Sequence, residues 1–206
     1  MGMKKSILLT AFEPFDGRSS NPALDVMKAL PAAIGGHRLH KAAMPVSGRA
    51  VGARLGALME EYEPGLIVSL GLAAGEASIR VERFALNIMD YRIKDNSGYA
   101  PEGEKIYADG PAAYFVNTEP AKAAAAIHKA GVPAYASNHA GAYVCNHLMY
   151  EAMHAIATCG LDTKYAFIHL PITTEMALGE AQGKTLAPSL PLALLVKGVL
   201  AAIKAV

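Results

Sequence analysis

Two side chains able to trade a proton stand at two boundaries of this chain. Cys145 closes the run Ser137-Asn138-His139-Ala140-Gly141-Ala142-Tyr143-Val144-Cys145, where a glycine-containing loop gives way to apolar residues at helical spacing: Leu148, Met149, Ala152, Met153 and Ile156. A thiol in the first turn of a helix meets unpaired backbone N–H groups and the positive end of the dipole, which favour the thiolate, the attacking form. His169 nearly closes the apolar run Tyr165-Ala166-Phe167-Ile168-His169-Leu170 ahead of Pro171. A cysteine at a helix start and a histidine at a strand end are the nucleophile and general base of a thiol hydrolase, if the fold brings them together.

A carboxylate should fix the tautomer of such a histidine. Glu13, Asp16, Glu82, Asp90, Asp95 and Asp109 are all candidates, and spacing does not choose among them. Glu82 lies in Ile79-Arg80-Val81-Glu82-Arg83-Phe84, where a strand would hold it rigid; its neighbours alone read as a solvated Arg80/Glu82/Arg83 surface cluster. Cys159, just before Gly160 at the far end of the cysteine helix, gains nothing from the dipole and reads as structural. His147 and His154 fall seven apart on the polar side of that helix, outside any HExxH pattern, so no metal is expected. Phe12 and Phe15 flank Glu13-Pro14 and could pack in a core or sandwich a small flat ring.

The elements that must position these residues alternate between strand and helix. Residues 6–12 read as a strand, and Asn21-Pro22 supplies a cap and first-turn proline for a helix to Leu30. Residues 39–46 form the next strand, and Val51, Leu55, Leu58, Met59 and Tyr62 mark the next helix. Leu66-Ile67-Val68-Ser69-Leu70 reads as a central strand, and 79–93 as extended structure, a hairpin arm. The loop 94–110 is long enough to be either functional or disordered. A helix after Thr118-Glu119-Pro120, a strand at 133–137, the cysteine helix, the histidine strand and a last helix from Ser189 complete the series. This order predicts an α/β/α sandwich around a twisted, mostly parallel sheet, in one domain over 1–206. The loops after the first strand and after Leu70, with the Cys145 and His169 turns, should gather at the carboxyl ends of the strands.

Composition bounds the function. The chain has 206 residues, 52% of them hydrophobic and 18% charged, with a formal net charge of +1. That describes a core-rich globular protein without the basic field that nucleic acid or an anionic membrane would call for. Two cysteines without CxxC or zinc-type spacing argue against a disulfide scaffold and fit a reducing cytoplasm. Lys4-Lys5 before Ser6–Phe12 imitates a short signal peptide, but Glu13 and Asp16 follow at once, so a buried first strand is expected. Met1-Gly2-Met3-Lys4-Lys5-Ser6 matches a loose myristoylation pattern that makes little sense beside a core strand. Nothing approaches the ~20 apolar residues of a membrane span.

The chain resembles the pyroglutamyl peptidase I family of cysteine exopeptidases over nearly its whole length. The resemblance rests on Ala11-Phe12-Glu13-Pro14-Phe15-Asp16-Gly17 with Asn21-Pro22, on Val81-Glu82-Arg83 with Asn87-Ile88, and on Arg92-Ile93 with Asp95-Asn96. It continues through Asp109-Gly110-Pro111-Ala112-Ala113-Tyr114-Phe115, Cys145-Asn146-His147 and Phe167-Ile168-His169-Leu170-Pro171. It implies Cys145 as nucleophile, His169 as base and acid, Glu82 as the orienting carboxylate and Arg92 near the scissile carbonyl. Phe12, Phe15, Asn21, Leu72, Tyr143 and Val144 would line a pyroglutamyl pocket. It further implies pyroglutamyl peptides as substrates, no cofactor, and a homo-oligomer, commonly a tetramer. The chain departs from the family in Gly71-Leu72-Ala73-Ala74-Gly75, where a glutamine usually follows the first glycine, in Ala11 and Asp16, usually glycines, and in Ala142-Tyr143. Two other readings stand beside it: a non-catalytic or redox-sensing binding protein using Cys145 as an oxidisable thiol, and a nucleoside phosphorylase-like enzyme on similar architecture.

Overall fold

The structure, a computed structural model, describes residues 6–181 and 185–206. The dilysine and myristoylation patterns fall largely on residues 1–5, outside the described residues. The first half runs β1 (Ile7–Phe12), α1 (Pro22–Ala29), β2 (Ala33–Ile34), β3 (His37–Met44), α2 (Val51–Tyr62), β4 (Leu66–Leu72), β5 (Ile79–Glu82) and β6 (Phe84–Leu86). The second runs β7 (Ala113–Phe115), α3 (Pro120–Lys129), β8 (Ala134–Ser137), α4 (Val144–Thr158), β9 (Lys164–Leu170), β10 (Ile172–Thr173), α5 (Thr174–Ala181), β11 (Ser189–Leu190) and α6 (Leu192–Ala205).

Seven strands form one sheet in the order β2-β3-β1-β4-β9-β5-β8. Pairing is parallel from β3 through β1 and β4 to β9, and antiparallel between β9 and β5 and between β2 and β3. Side chains of period two divide the interior. Leu9, Val68 and Ile168 face Val26, Ile127 and Val199 of α1, α3 and α6. Their sequence neighbours Leu8, Ile67 and Phe167 face Leu55, Leu148 and Met149 of α2 and α4. Strands buried on both faces need near-continuous apolar runs, which β1, β4 and β9 have. Each fully buried Leu, Ile or Phe contributes about 1.5–3 kcal/mol against its exposed state.

Two of the segments read from the sequence take a different form. Residues 79–93 are not one hairpin arm: β5 enters the central sheet, while β6 leaves it and pairs antiparallel with β7. The last helix begins at Leu192, because Ser189 and Leu190 first pair with β10. The loop 94–110 is ordered by two buried side chains. Asp95 accepts from Gly48 N (2.8 Å), Ser97 N (2.8 Å), Ser97 Oγ (2.7 Å) and Tyr99 N (2.9 Å). Burial works to raise the Asp95 carboxyl, but these donors outweigh it and hold it below its ordinary value. Asn87 accepts from Ile106 N and Tyr107 N and donates to Tyr107 O and Gly110 O.

Candidate active site

Strand ends and one helix start converge on a cleft of about 370 Å³ whose lining includes Cys145, His169, Arg92, Phe15, Leu72 and Tyr143. Each loop expected at the carboxyl edge of the sheet contributes a wall. The 15–18 turn follows β1; Leu72, Ala73 and Ala74 follow β4, tied to β9 by Ala73 N donating to Leu170 O at 2.8 Å. Ala142 O accepts from Asp90 N at 3.0 Å, joining the loop before α4 to the segment that carries Arg92. A second cavity of similar volume lies by Ser6, His37 and Val206 at the other end of the strands, but no cysteine lines it. Catalytic chemistry therefore belongs to the first.

His169 is buried, and its Nδ1–H donates to Glu82 Oε1 at 2.7 Å, across 87 residues of sequence. Glu82 is fully buried, so the surface-cluster reading of its neighbours is corrected. Strand alternation explains the error. Glu82 points inward with Arg80, while Arg83 turns outward to donate to Asn138 Oδ1 at 2.8 Å. The antiparallel register sets Arg80 opposite His169, so Glu82 reaches the imidazole from the neighbouring strand. Gly71, beside His169 in β4, makes room: a Cβ there would lie 2.9 Å from His169 Cδ2 and 2.9 Å from Phe167 Cε1.

Burial works against the helix-start effect at the thiol. Cys145 does sit in the first turn of α4, two residues beyond the Tyr143 cap, yet burial pushes its thiol up to about 12, aided by the nearby Glu82 charge. Desolvation outweighs the backbone N–H and the Arg80 charge that favour thiolate. Burial also holds His169 below its ordinary value, against the upward pull of Glu82. With Nδ1 engaged by Glu82, Nε2 is the ring nitrogen left to accept a proton.

The remaining pocket candidates divide. Phe15 and Tyr143 face each other with ring centroids 5.9 Å apart, and Leu72 joins them at the cleft wall. Phe12, Asn21 and Val144 are buried behind this lining. Asn21 caps α1, accepting from Ala23 N at 3.0 Å, and donates to Glu13 O at 3.1 Å, which fixes the turn bearing Phe15. Cys159 ends α4 exposed. His147 is not on a polar face. It is buried, with Nδ1 3.1 Å from Tyr91 Oη and Nε2 3.3 Å from Glu151 Oε1.

Sequence reasoning missed Arg80 and Asn146. Arg80 lines the cleft and lies 3.3 Å from Glu82 Oε1. Asn146, fully buried, donates to Leu86 O and Ile88 O and accepts from Leu86 N, anchoring the helix start against the segment after β6. An asparagine inside a helix is disfavoured unless its amide serves elsewhere, and that was the available signal. Among the described residues, no group of three His, Cys, Asp or Glu side chains is placed to hold a metal ion. No described helix is long and apolar enough to cross a membrane.

An α/β/α sandwich with a cysteine at a helix start, facing a carboxylate-oriented histidine across a cleft, defines the class of cysteine-type hydrolases. Comparison narrows the class. The family model for pyroglutamyl peptidase matches residues 5–206. The pyrrolidone-carboxylate peptidase of Thermococcus onnurineus is 43% identical over 93% of this chain and 93% of its own length. That of Fusobacterium nucleatum is 42% identical over 97% and 92%. The solved pyrrolidone carboxyl peptidase of Thermococcus litoralis superposes with a TM-score of 0.92 at 36% identity, covering 98% of this chain and 93% of that one. The chain belongs to the pyroglutamyl peptidase family. The reading as a non-catalytic thiol sensor finds no support there.

Proposed function

We propose that this chain, acting as one peptidase domain, hydrolyses the amide bond after an N-terminal pyroglutamyl residue, with Cys145 as nucleophile. The observation that carries the reading is the buried 2.7 Å contact of His169 Nδ1 with Glu82 Oε1 behind a cleft shared with Cys145. Burial disfavours charge on both thiol and imidazole, so the proton moves as substrate reacts. His169 Nε2 takes the proton from Cys145 Sγ while sulfur attacks the carbonyl carbon, and Glu82 stabilises the imidazolium that forms. The imidazolium then protonates the departing nitrogen, the C–N bond breaks and a pyroglutamyl thioester remains. Water, losing a proton to Nε2, attacks the thioester; the C–S bond breaks and the thiol regains its proton.

Pyroglutamate is a lactam without a free amine, so its pocket needs an apolar slot rather than a grip on an ammonium. Phe15, Tyr143 and Leu72 supply the slot, held from behind by Phe12, Asn21 and Val144. The Cys145 N–H and Arg92 stabilise the oxyanion, each donor worth about 3 kcal/mol. No cofactor enters the scheme. The same reading takes the protein as a cytoplasmic homo-oligomer, a tetramer, which sedimentation would check. Its central test is release of a fluorogenic amine from a pyroglutamyl conjugate in reducing buffer with chelator. Turnover by wild type and a loss of at least about 10³-fold in Cys145→Ser are expected; silence from folded, reduced wild type would refute the activity.

A further inference from the structure

Arg80 is a charged residue of the cleft that the reaction above leaves unused. It stands across from His169 in the β5–β9 ladder, with its side chain in the cleft wall. Its Nε lies 3.3 Å from Glu82 Oε1, the same oxygen that accepts from His169 Nδ1. Its Nη1 lies 3.3 Å from Glu76 Oε1. Glu82 Oε2 and Arg80 Nε are both buried without a hydrogen-bond partner among the described residues, so His169 hydrogen-bonds Oε1 and Arg80 acts on it as a neighbouring charge. Glu76, Arg80, Glu82 and His169 thus form one chain of charge that begins at a partly exposed carboxylate and ends on the imidazole.

We propose that Arg80, held by Glu76, is a positioning residue of the catalytic pair: it draws Glu82's charge partly away from His169 and so sets how readily the imidazole accepts a proton. This rests on the catalytic reading of the site given above. A cation beside Glu82 disfavours a second cation on His169 and favours an anion on Cys145, and Glu76 opposes the first effect. Other charges face the same space. Asp16 and Arg18 come from the turn after β1, and Asp90 and Arg92 from the segment after β6. Tyr143 precedes Cys145 on the far wall, and Tyr135 Oη of β8 lies 3.5 Å from both Glu76 oxygens. Arg80 is the one of these in ion-pair contact with Glu82.

Opposite charges in the chain predict opposite shifts. Arg80→Gln is expected to move the acid limb of the kcat/KM profile up by about 0.5–1 pH unit. Glu76→Gln is expected to move it down by less, with little change in KM. Arg80→Lys, which keeps the charge and loses the fork, should fall between wild type and Arg80→Gln. A merely structural role would lower activity at every pH and leave the limb in place. Limbs that stay put, or that move the same way in both variants, overturn the proposal; if Arg80→Gln does not fold, the Glu76→Gln and Arg80→Lys profiles decide. The His169 ring titration, followed by NMR and assigned with His169→Gln, must shift in the same directions. That reading needs no turnover, so it separates failure of this proposal from failure of the peptidase assignment.

Discussion

At the scale of single residues, the site is a problem of proximity inside a low-dielectric pocket. Burial disfavours the anionic form of the thiol, and in the mechanism proposed above it reacts through His169, which shares its cleft. Placement of that ring therefore governs rate, and Gly71 governs placement. A methyl at Gly71 would overlap both His169 and Phe167, which are themselves in ring contact at 4.8 Å. Gly71→Ala is expected to lower kcat about 10²-fold through displacement of the imidazole, with KM nearly unchanged. It should also cost about 1–3 kcal/mol of stability by overpacking. Steady-state kinetics and urea unfolding check the two parts; a variant with wild-type kcat would show that the ring tolerates the displacement.

At the scale of elements, polar side chains organise the loop 94–110, alongside Tyr99 and Ile106 packed on the core. Asp95 gathers four donors from two segments, and Asn96 Nδ2 donates to Pro14 O at 3.0 Å, linking the loop to the turn that bears Phe15. Asp95→Ala strands those donors and is expected to cost about 2–4 kcal/mol. Faster amide exchange over 95–99 and a raised KM should accompany it; unchanged exchange would remove Asp95 as the organiser. This loop also marks the limit of what the chain reveals on its own. Apolar runs such as 66–70 and 165–170 announced the parallel strands, and Asn21-Pro22 announced the first helix, because burial and capping leave local signatures. The β5–β9 pairing left none. Antiparallel neighbours separated by two helices depend on contacts that periodicity cannot encode, so Glu82 and Arg80 read as surface charges until the register placed them behind His169. The burial that opposes the helix-start effect at the thiol was hidden for a related reason: position in a helix is local, whereas desolvation depends on everything packed around it.

At the scale of the whole molecule, buried titratable groups tie folding to pH. His169 in the folded state holds its proton affinity below the ordinary value, while the unfolded chain takes up a proton near 6.5. Its contribution is therefore present above that pH and is lost as pH falls through the folded value. Asp95 and Glu151, both held low, add a second loss below about 4. Urea midpoints should fall between pH 7 and 5 and again in stronger acid, and His169→Gln should flatten the first step alone. A first step that survives that substitution would assign it to another group.

The position of β9 carries a consequence for how the protein is made. It lies mid-sheet between β4 and β5, yet the ribosome delivers it after both of its neighbours. Until residues 164–170 emerge, the nascent chain presents two unjoined half-sheets with open edges, which is the stage most exposed to aggregation and to chaperone capture. In the proposed mechanism, the general base arrives on that same strand. That mechanism withholds proteolytic power from an unfinished chain, because its thiol has no proton acceptor until the sheet closes around it. Ribosome-stalled chains ending before Lys164 should bind holdases and leave pyroglutamyl amides untouched.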